Sequence, residues 1–145
     1  MDVYHPLLKP AVLLIIWTIV VMMVMAVRRA QGFRHHKVDL RSRKGGRGPD
    51  LDGKVEPKFQ WPAHNYMHLV EQPTLFYAII LILVAMGDSV AFNVTLAWAY
   101  LIIRVLHSIW QISVNSVPVR LSLFILSSLC LLGLTLHAAI ALFSQ

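Results

Sequence analysis

Charged residues and cysteines are both scarce in this chain. Only 14% of its 145 residues are charged, whereas soluble domains carry about 25%. Hydrophobic residues make up 57%, and the mean hydropathy is +0.65. The single cysteine, Cys130, lies in the last apolar block. Neither a disulfide framework nor a thiol-rich metal site can therefore form within one chain, and we expect no metal site.

The apolar residues are grouped in four long blocks rather than spaced at the period of an amphipathic soluble helix or strand. About 20 apolar residues, at about 1.5 Å each, suffice to cross a hydrocarbon core of about 30 Å. The sequence therefore predicts one all-α domain over residues 1–145, an integral membrane four-helix bundle. We predict its helices at about residues 7–28, 65–86, 90–111 and 118–143.

The positive charge is concentrated between the first two helices. Ten of the thirteen Lys and Arg residues lie between Arg28 and Lys58, together with four acidic residues. Because cytoplasmic loops carry an excess of Lys and Arg, we predict that a basic loop over about residues 29–62 is cytoplasmic and that both termini lie on the opposite side. The run from Arg41 to Lys54 is so rich in glycine and charge that we expect it to be unordered.

Two features of this loop resemble binding motifs, but other interpretations fit them better. Residues 48–55 nearly match a phosphate-binding P-loop, but Val55 stands where a Ser or Thr would hold magnesium, and no strand precedes the motif. The arginines resemble an RNA-binding tail, but a basic cluster beside a membrane favours contact with anionic lipid. We predict membrane lipids as partners and no nucleic acid.

Polar residues recur inside the second and third apolar blocks. Asn65, His68 and either Glu71 or Gln72 share one face of the second helix, and Arg104 and His107 belong to a polar stripe on the third. An isolated charge costs at least about 2.5–3.5 kcal/mol at the centre of a membrane helix, so a charge there needs a partner. We predict a structural ion pair between Glu71 and Arg104. A role limited to fixing how the helices pack stays open for this pair.

The polar residues exceed what one glutamate can satisfy. The cations and donors predicted at the cytoplasmic rim are Arg28, Asn65, His68, His107 and Arg120. An anionic small ligand is their natural complement. For His107 taken alone, a hydrogen-bonded structural role stays open.

Two segments carry a family resemblance. NYMHLVEQPTLFY, residues 65–77, resembles the helix-two signature of the MAPEG family, the membrane-associated proteins of eicosanoid and glutathione metabolism. AWAYLIIRVLH, residues 97–107, followed by Asn115 and by Pro118, Val119 and Arg120, is similar to the helix-three signature and the turn into helix four. The bacterial branch of the family looks closest.

The resemblance implies a homotrimer that binds glutathione as co-substrate between neighbouring subunits on the cytoplasmic side, while lipophilic substrates arrive through the bilayer. A bacterial inner membrane is the expected location. By motif position, Arg120 is the catalytic residue that stabilises the glutathione thiolate; a cation beside a thiol lowers its pKa and raises the nucleophilic fraction. The residues that the resemblance implies for glutathione binding are Arg28, Asn65, His68, Glu71, Arg104 and His107.

Three functions stay open at this point. Arg120, Arg104, Glu71 and Asn65 favour a glutathione-dependent transferase or peroxidase that acts on lipophilic electrophiles. The alternative is a catalytically silent membrane protein that binds lipid or a protein partner, because Gln111 and Phe124 stand where glutathione-using members often carry tyrosines, and Leu121 where a serine can occur. A transporter or channel would need a polar path across the membrane, but the second helix is almost wholly apolar beyond Tyr77.

Overall fold

The computed structural model describes residues 5–38 and 45–144 and forms a bundle of four long helices. The helices are α1 (Leu8–His35), α2 (Pro57–Ala85), α3 (Ala91–Ser113) and α4 (Val117–Phe143). Each is long and apolar enough to cross a membrane. The predicted all-α membrane bundle is confirmed.

Neighbouring helices run in opposite directions, so the end of α1, the start of α2, the end of α3 and the start of α4 meet at one end of the bundle. We call this the loop end. Contacts fix the arrangement there: His68 of α2 lies beside His107 of α3, with 6.2 Å between ring centroids. At the opposite end, Phe92 at the start of α3 lies against His137 near the end of α4.

The core is built where apolar faces of all four helices meet. Phe76 of α2 stacks on Tyr100 of α3 with ring centroids 4.3 Å apart. Leu14 of α1 and Leu134 of α4 are fully buried in the same cluster. Many other large apolar side chains point outward, Leu75, Leu81 and Ile140 among them. An apolar exterior of this extent suits a lipid environment and not water.

Two helices are longer than predicted at the loop end. Helix α1 extends to His35 instead of ending near residue 28, and α2 begins at Pro57 instead of near residue 65. Proline is favoured in the first turn of a helix, where its missing N–H has no intrahelical partner to lose. Gly32 lets the two extensions approach closely, since a Cβ at this position would lie 3.1 Å from the Phe59 Cβ atom of α2.

The connection between α1 and α2 is therefore shorter than the predicted loop 29–62, and part of its described segment is ordered. Gly48–Leu51 forms a short 3₁₀ helix, and Leu51, Val55 and Phe59 are buried together against Phe33. The expectation of an unordered run is wrong for residues 48–54, because Leu51 and the adjoining Val55 pack on the extended helices. Residues 41–44 of that run lie outside the described residues.

Candidate functional site at the loop end of the bundle

A cavity of about 210 Å³ opens at the loop end between α2, α3 and α4. Its polar lining combines three residues that the sequence analysis singled out, His68, His107 and Arg120. Its apolar wall comes from the first turns of α4 and consists of Val117, Leu121 and Phe124. The cavity therefore places cationic or hydrogen-bonding groups directly beside an apolar surface.

Arg120 is positioned by the turn between α3 and α4. Its Nη1 atom donates to the Asn115 Oδ1 atom over 2.7 Å. Asn115 has a φ of 59°, a left-handed conformation that Asn tolerates better than most residues. The Nε atom of Arg120 is buried and has no partner among the described residues. The turn thus holds the guanidinium in place and leaves a donor for a ligand.

The two histidines of the cavity come from facing helices. Their rings meet edge to face, at an interplanar angle of 84°. His107 is buried, with 4% of its surface exposed, while His68 is half-buried. The Nδ1 atom of His68 lies 3.7 Å from the Glu71 Oε2 atom, one turn further along α2. His68 thus links the cavity to the acidic side chain at its rim.

Arg104 is the largest of the fully buried side chains, with 1% of its surface exposed. Its Nη2 atom donates to the backbone oxygen of His68 over 2.6 Å. Its Nε and Nη1 atoms are buried and have no partner in the described part of the chain. A buried guanidinium with unused donors is costly, so this group has capacity for a further acceptor.

The predicted ion pair between Glu71 and Arg104 is not formed within the described residues. The side chain of Glu71 is 62% exposed, and the basic group beside its carboxylate is not Arg104 but the imidazole of His68, on the same helix. The helical period explains the difference, because Leu69, Pro73 and Phe76 form the buried face of α2 and Glu71 lies off that face. The neighbouring Gln72 turns inward instead.

Gln72 belongs to a polar network that lies deeper in the bundle. Its Nε2 atom donates to the Ser128 Oγ atom of α4 over 2.7 Å, and the Tyr100 hydroxyl lies 3.5 Å from its Oε1 atom. Three helices are joined by this network. The sequence pattern offered Gln72 only as an alternative to Glu71. It did not mark Ser128 as a site residue, since single serines are frequent in membrane helices.

Asn65 does not line the cavity. It is fully buried, and its Nδ2 atom donates to the Ser108 Oγ atom over 2.6 Å. The same oxygen accepts a hydrogen bond from the Trp17 Nε1 atom over 2.9 Å. Asn65 therefore joins α1, α2 and α3 through Ser108. Ser108 and Trp17 could not be identified from the sequence, because neither stands out in an apolar helix.

Arg28 lies elsewhere on the surface of one chain. It is exposed on α1 and borders a groove with Met23, Val24, Val27 and Gln31. It is not among the residues of the His68–Arg120 cavity. A single chain therefore brings together His68, His107 and Arg120, with Arg104 bound to the His68 backbone and Glu71 at the rim, but not Arg28.

Comparison with protein families gives one match. The model of the MAPEG family matches residues 7–140, which is nearly the whole chain. The match confirms the resemblance seen in two segments and extends it over all four helices. No curated protein and no solved structure gave a match.

Proposed function

The chain belongs to the MAPEG family, and on this premise we propose that it is a membrane-bound, glutathione-dependent transferase or peroxidase that acts on lipophilic electrophiles. The family is generally associated with glutathione. In the proposal, glutathione binds at the loop end and the second substrate comes from the bilayer.

One observation carries the proposal, namely the excess of donors over acceptors at the loop-end cavity. Among the described residues, the buried Nε atom of Arg120 has no partner, and neither do two nitrogens of Arg104 one helix away. No acidic side chain of the described residues lines the cavity, and Glu71 reaches it only through its contact with His68 at 3.7 Å. Glutathione offers two carboxylates and a thiolate, so it supplies the negative charge that these donors lack.

The residue roles follow from position. Arg120, beside the apolar wall of Leu121 and Phe124, would stabilise the thiolate where a lipophilic substrate can approach. His68, His107 and Arg104 would hold carboxylates, and the exposed Glu71 would hold the amino group. Asn65 would act as a positioning residue, since its amide holds α2 against α3.

The chemistry requires no further group from the protein. In conjugation, the thiolate sulfur attacks an electrophilic carbon, a carbon–sulfur bond forms, and the leaving group departs with its electron pair. In peroxide reduction, two glutathione molecules are oxidised to the disulfide while the hydroperoxide is reduced to an alcohol and water. In both reactions the cation beside sulfur raises the nucleophilic fraction of the thiol.

We propose that the protein functions as a homotrimer with sites between subunits. The cavity on one chain, at about 210 Å³, is smaller than the roughly 300–1,000 Å³ of most small-molecule sites. Arg28 is exposed on a separate face of α1. A neighbouring subunit that brought its own Arg28 to the cavity would both enlarge the site and add a cation to it.

The orientation is part of the same proposal. The described cations of the α1–α2 connection, such as Arg47 and Lys54, lie at the loop end. The positive-inside rule then puts the loop end and the glutathione site in the cytoplasm, and the start of α1 and the end of α4 on the opposite side. A bacterial inner membrane satisfies this arrangement.

A second function is favoured by the apolar half of the cavity. Val117, Leu121 and Phe124 supply a surface that suits an acyl chain as well as an electrophile. A catalytically silent protein that binds an anionic lipid would use the same arginine and histidines for the headgroup.

Calorimetry separates the two functions. Glutathione is titrated into the detergent-purified full-length protein, into Arg120→Ala and into Arg34→Ala, which removes an exposed cation from the last turn of α1. We expect binding to the wild type and to Arg34→Ala, and affinity at least about tenfold weaker in Arg120→Ala. If the wild type does not bind glutathione at millimolar concentration, the transferase proposal fails and lipid binding is the better account.

A further inference from the structure

A second cluster of chemically active side chains lies at the loop end, away from the cavity. His35 ends α1, His36 follows it, and Glu56 directly precedes α2. One potential ligand atom from each of the three lies within 4.8 Å of the other two. In the described part of the chain, this is the one group of three His, Cys, Asp or Glu residues that is so arranged.

We propose that His35, His36 and Glu56 bind a Zn²⁺ ion that joins the end of α1 to the start of α2. Two neutral imidazoles and one carboxylate are an established donor set for zinc, with water as the fourth ligand. Imidazole nitrogen favours zinc over Mg²⁺ and Ca²⁺, which prefer oxygen ligands. The cluster is exposed, so the ion can enter from solvent.

The side chains are already held close to the required geometry. The backbone N–H of Glu56 donates to the His36 Nε2 atom over 3.1 Å, so an unprotonated imidazole nitrogen faces Glu56. The two imidazole rings meet edge to face at 4.9 Å and also lie against Phe59, at 5.9 and 6.1 Å. Because these contacts restrict the rings before the ion arrives, less conformational entropy is lost on binding.

Binding requires small rearrangements. Ligand atoms about 2.0–2.1 Å from a tetrahedral zinc are about 3.3 Å from one another, so the three side chains must move closer by rotation. The ion would replace the hydrogen bond to His36 and the ion pair of Lys58 Nζ with Glu56 Oε2, which is 3.0 Å long. Lys58 also lies 5.3 Å from the centre of the Phe59 ring, so it keeps a favourable contact.

The structural consequence is a link between the end of α1 and the start of α2. Beside the three ligands, the apolar residues Leu51 and Val55 pack on both helices. An ion that binds only when both helix ends are in place stabilises that packed arrangement by linkage. Zinc would thus hold Leu51 and Val55 in their places against α1 and α2.

The test uses ZnCl₂ titrated by calorimetry into the full-length protein, purified without a polyhistidine tag. We expect one Zn²⁺ per chain, and affinity at least about tenfold weaker in both His36→Ala and Glu56→Gln. His5→Ala, which removes a histidine from the start of the described chain, serves as the matched control and should bind as the wild type does. Circular dichroism of each variant verifies that the helices are intact.

A pair of lysine variants makes the test sharper. Lys58→Gln removes the cation that competes for Glu56, so this variant should bind Zn²⁺ more tightly than the wild type does. Lys54→Gln should bind Zn²⁺ with the wild-type affinity. Absence of Zn²⁺ binding by the wild type would overturn the proposal. So would wild-type affinity in both His36→Ala and Glu56→Gln, because the ion would then bind elsewhere.

Discussion

The Nη2 atom of Arg104 donates to the backbone oxygen of His68 over 2.6 Å and so ties α3 to α2. The side chain of the same His68 lines the loop-end cavity. One residue pair therefore connects the buried cation of α3 with the candidate site. The Nε and Nη1 atoms of Arg104 are buried and have no partner among the described residues, so they can donate to a further acceptor.

Replacement of Arg104 by methionine tests this relationship. The variant loses a hydrogen bond from a charged group, worth about 1.5–3 kcal/mol, but it also removes the cost of a charge inside a membrane helix, about 2.5–3.5 kcal/mol. We expect little net change in the free energy of unfolding and a loss of the stabilisation that glutathione gives to the wild type. Thermal unfolding with and without glutathione measures both quantities.

A large loss of stability would contradict this expectation. If Arg104→Met unfolds far more easily than the wild type without any ligand, Arg104 is a packing residue and its Nε and Nη1 atoms bind no ligand. Arg34→Met, on the exposed surface of α1, is the control for loss of one positive charge.

Replacement of Ser108 by alanine should weaken contacts among three helices. The Ser108 Oγ atom accepts hydrogen bonds from both Trp17 and Asn65. The variant removes the acceptor of Trp17 and leaves the Asn65 amide only its longer contact, 3.4 Å, with the Ser108 backbone oxygen. Hydrogen bonds between membrane helices contribute about 0.6 kcal/mol on average and up to about 1.7. We expect a loss of about 1–3 kcal/mol in the free energy of unfolding, measured by circular dichroism in a denaturing detergent.

Ser113→Ala is the matched control for this variant. Within the described ranges, the Ser113 hydroxyl bonds only to carbonyl oxygens of its own helix, those of Ile109 and Trp110. Its removal should change the stability by only a few tenths of a kcal/mol. Equal losses in the two variants would contradict a special role for Ser108.

Replacement of Asn115 by glycine separates the position of Arg120 from its charge. Glycine adopts the φ of 59° without strain, but the side-chain acceptor of the Arg120 Nη1 atom is lost. We expect the fold to be retained and glutathione affinity to fall by about threefold to tenfold, since the guanidinium is then less well oriented. Calorimetry gives the affinity, and an unchanged value would show that the turn does not position Arg120.

Replacement of Gly32 by valine should disturb the packing of α1 on the start of α2. Even a Cβ atom here would lie 2.9 Å from Val55 Cγ1 and 3.1 Å from Phe59 Cβ, and overpacking costs about 1–3 kcal/mol. We expect faster tryptic cleavage at Arg47 and Lys54 while the transmembrane helices stay intact. Ala30→Val, on the exposed side of the same turn, should be cleaved at the wild-type rate.

Much of the architecture could be predicted because lipid imposes strong rules on a sequence. A helix must be apolar over the thickness of the bilayer, so four spans could be counted directly from four apolar blocks. The helical period also placed His68 and His107 at the same end as Arg120. The family resemblance, found in two segments, agrees with the family match over residues 7–140.

The errors in the helix ends and in the order of the connection share one physical origin. The helices α1 and α2 were predicted too short because hydropathy falls before they end, whereas Phe33, Val55 and Phe59 continue the contact between them. No local pattern indicates that these residues meet.

The sequence by itself determined the number of spans, the basic connection and the side chains available for a site, because each follows from composition and helical period. Only the tertiary structure decided that Gln72 and not Glu71 turns inward, that Asn65 bonds to Ser108, and that Glu56 lies beside His35 and His36. These contacts depend on how the helices rotate and pack against one another, and that packing is determined by residues far apart in the chain.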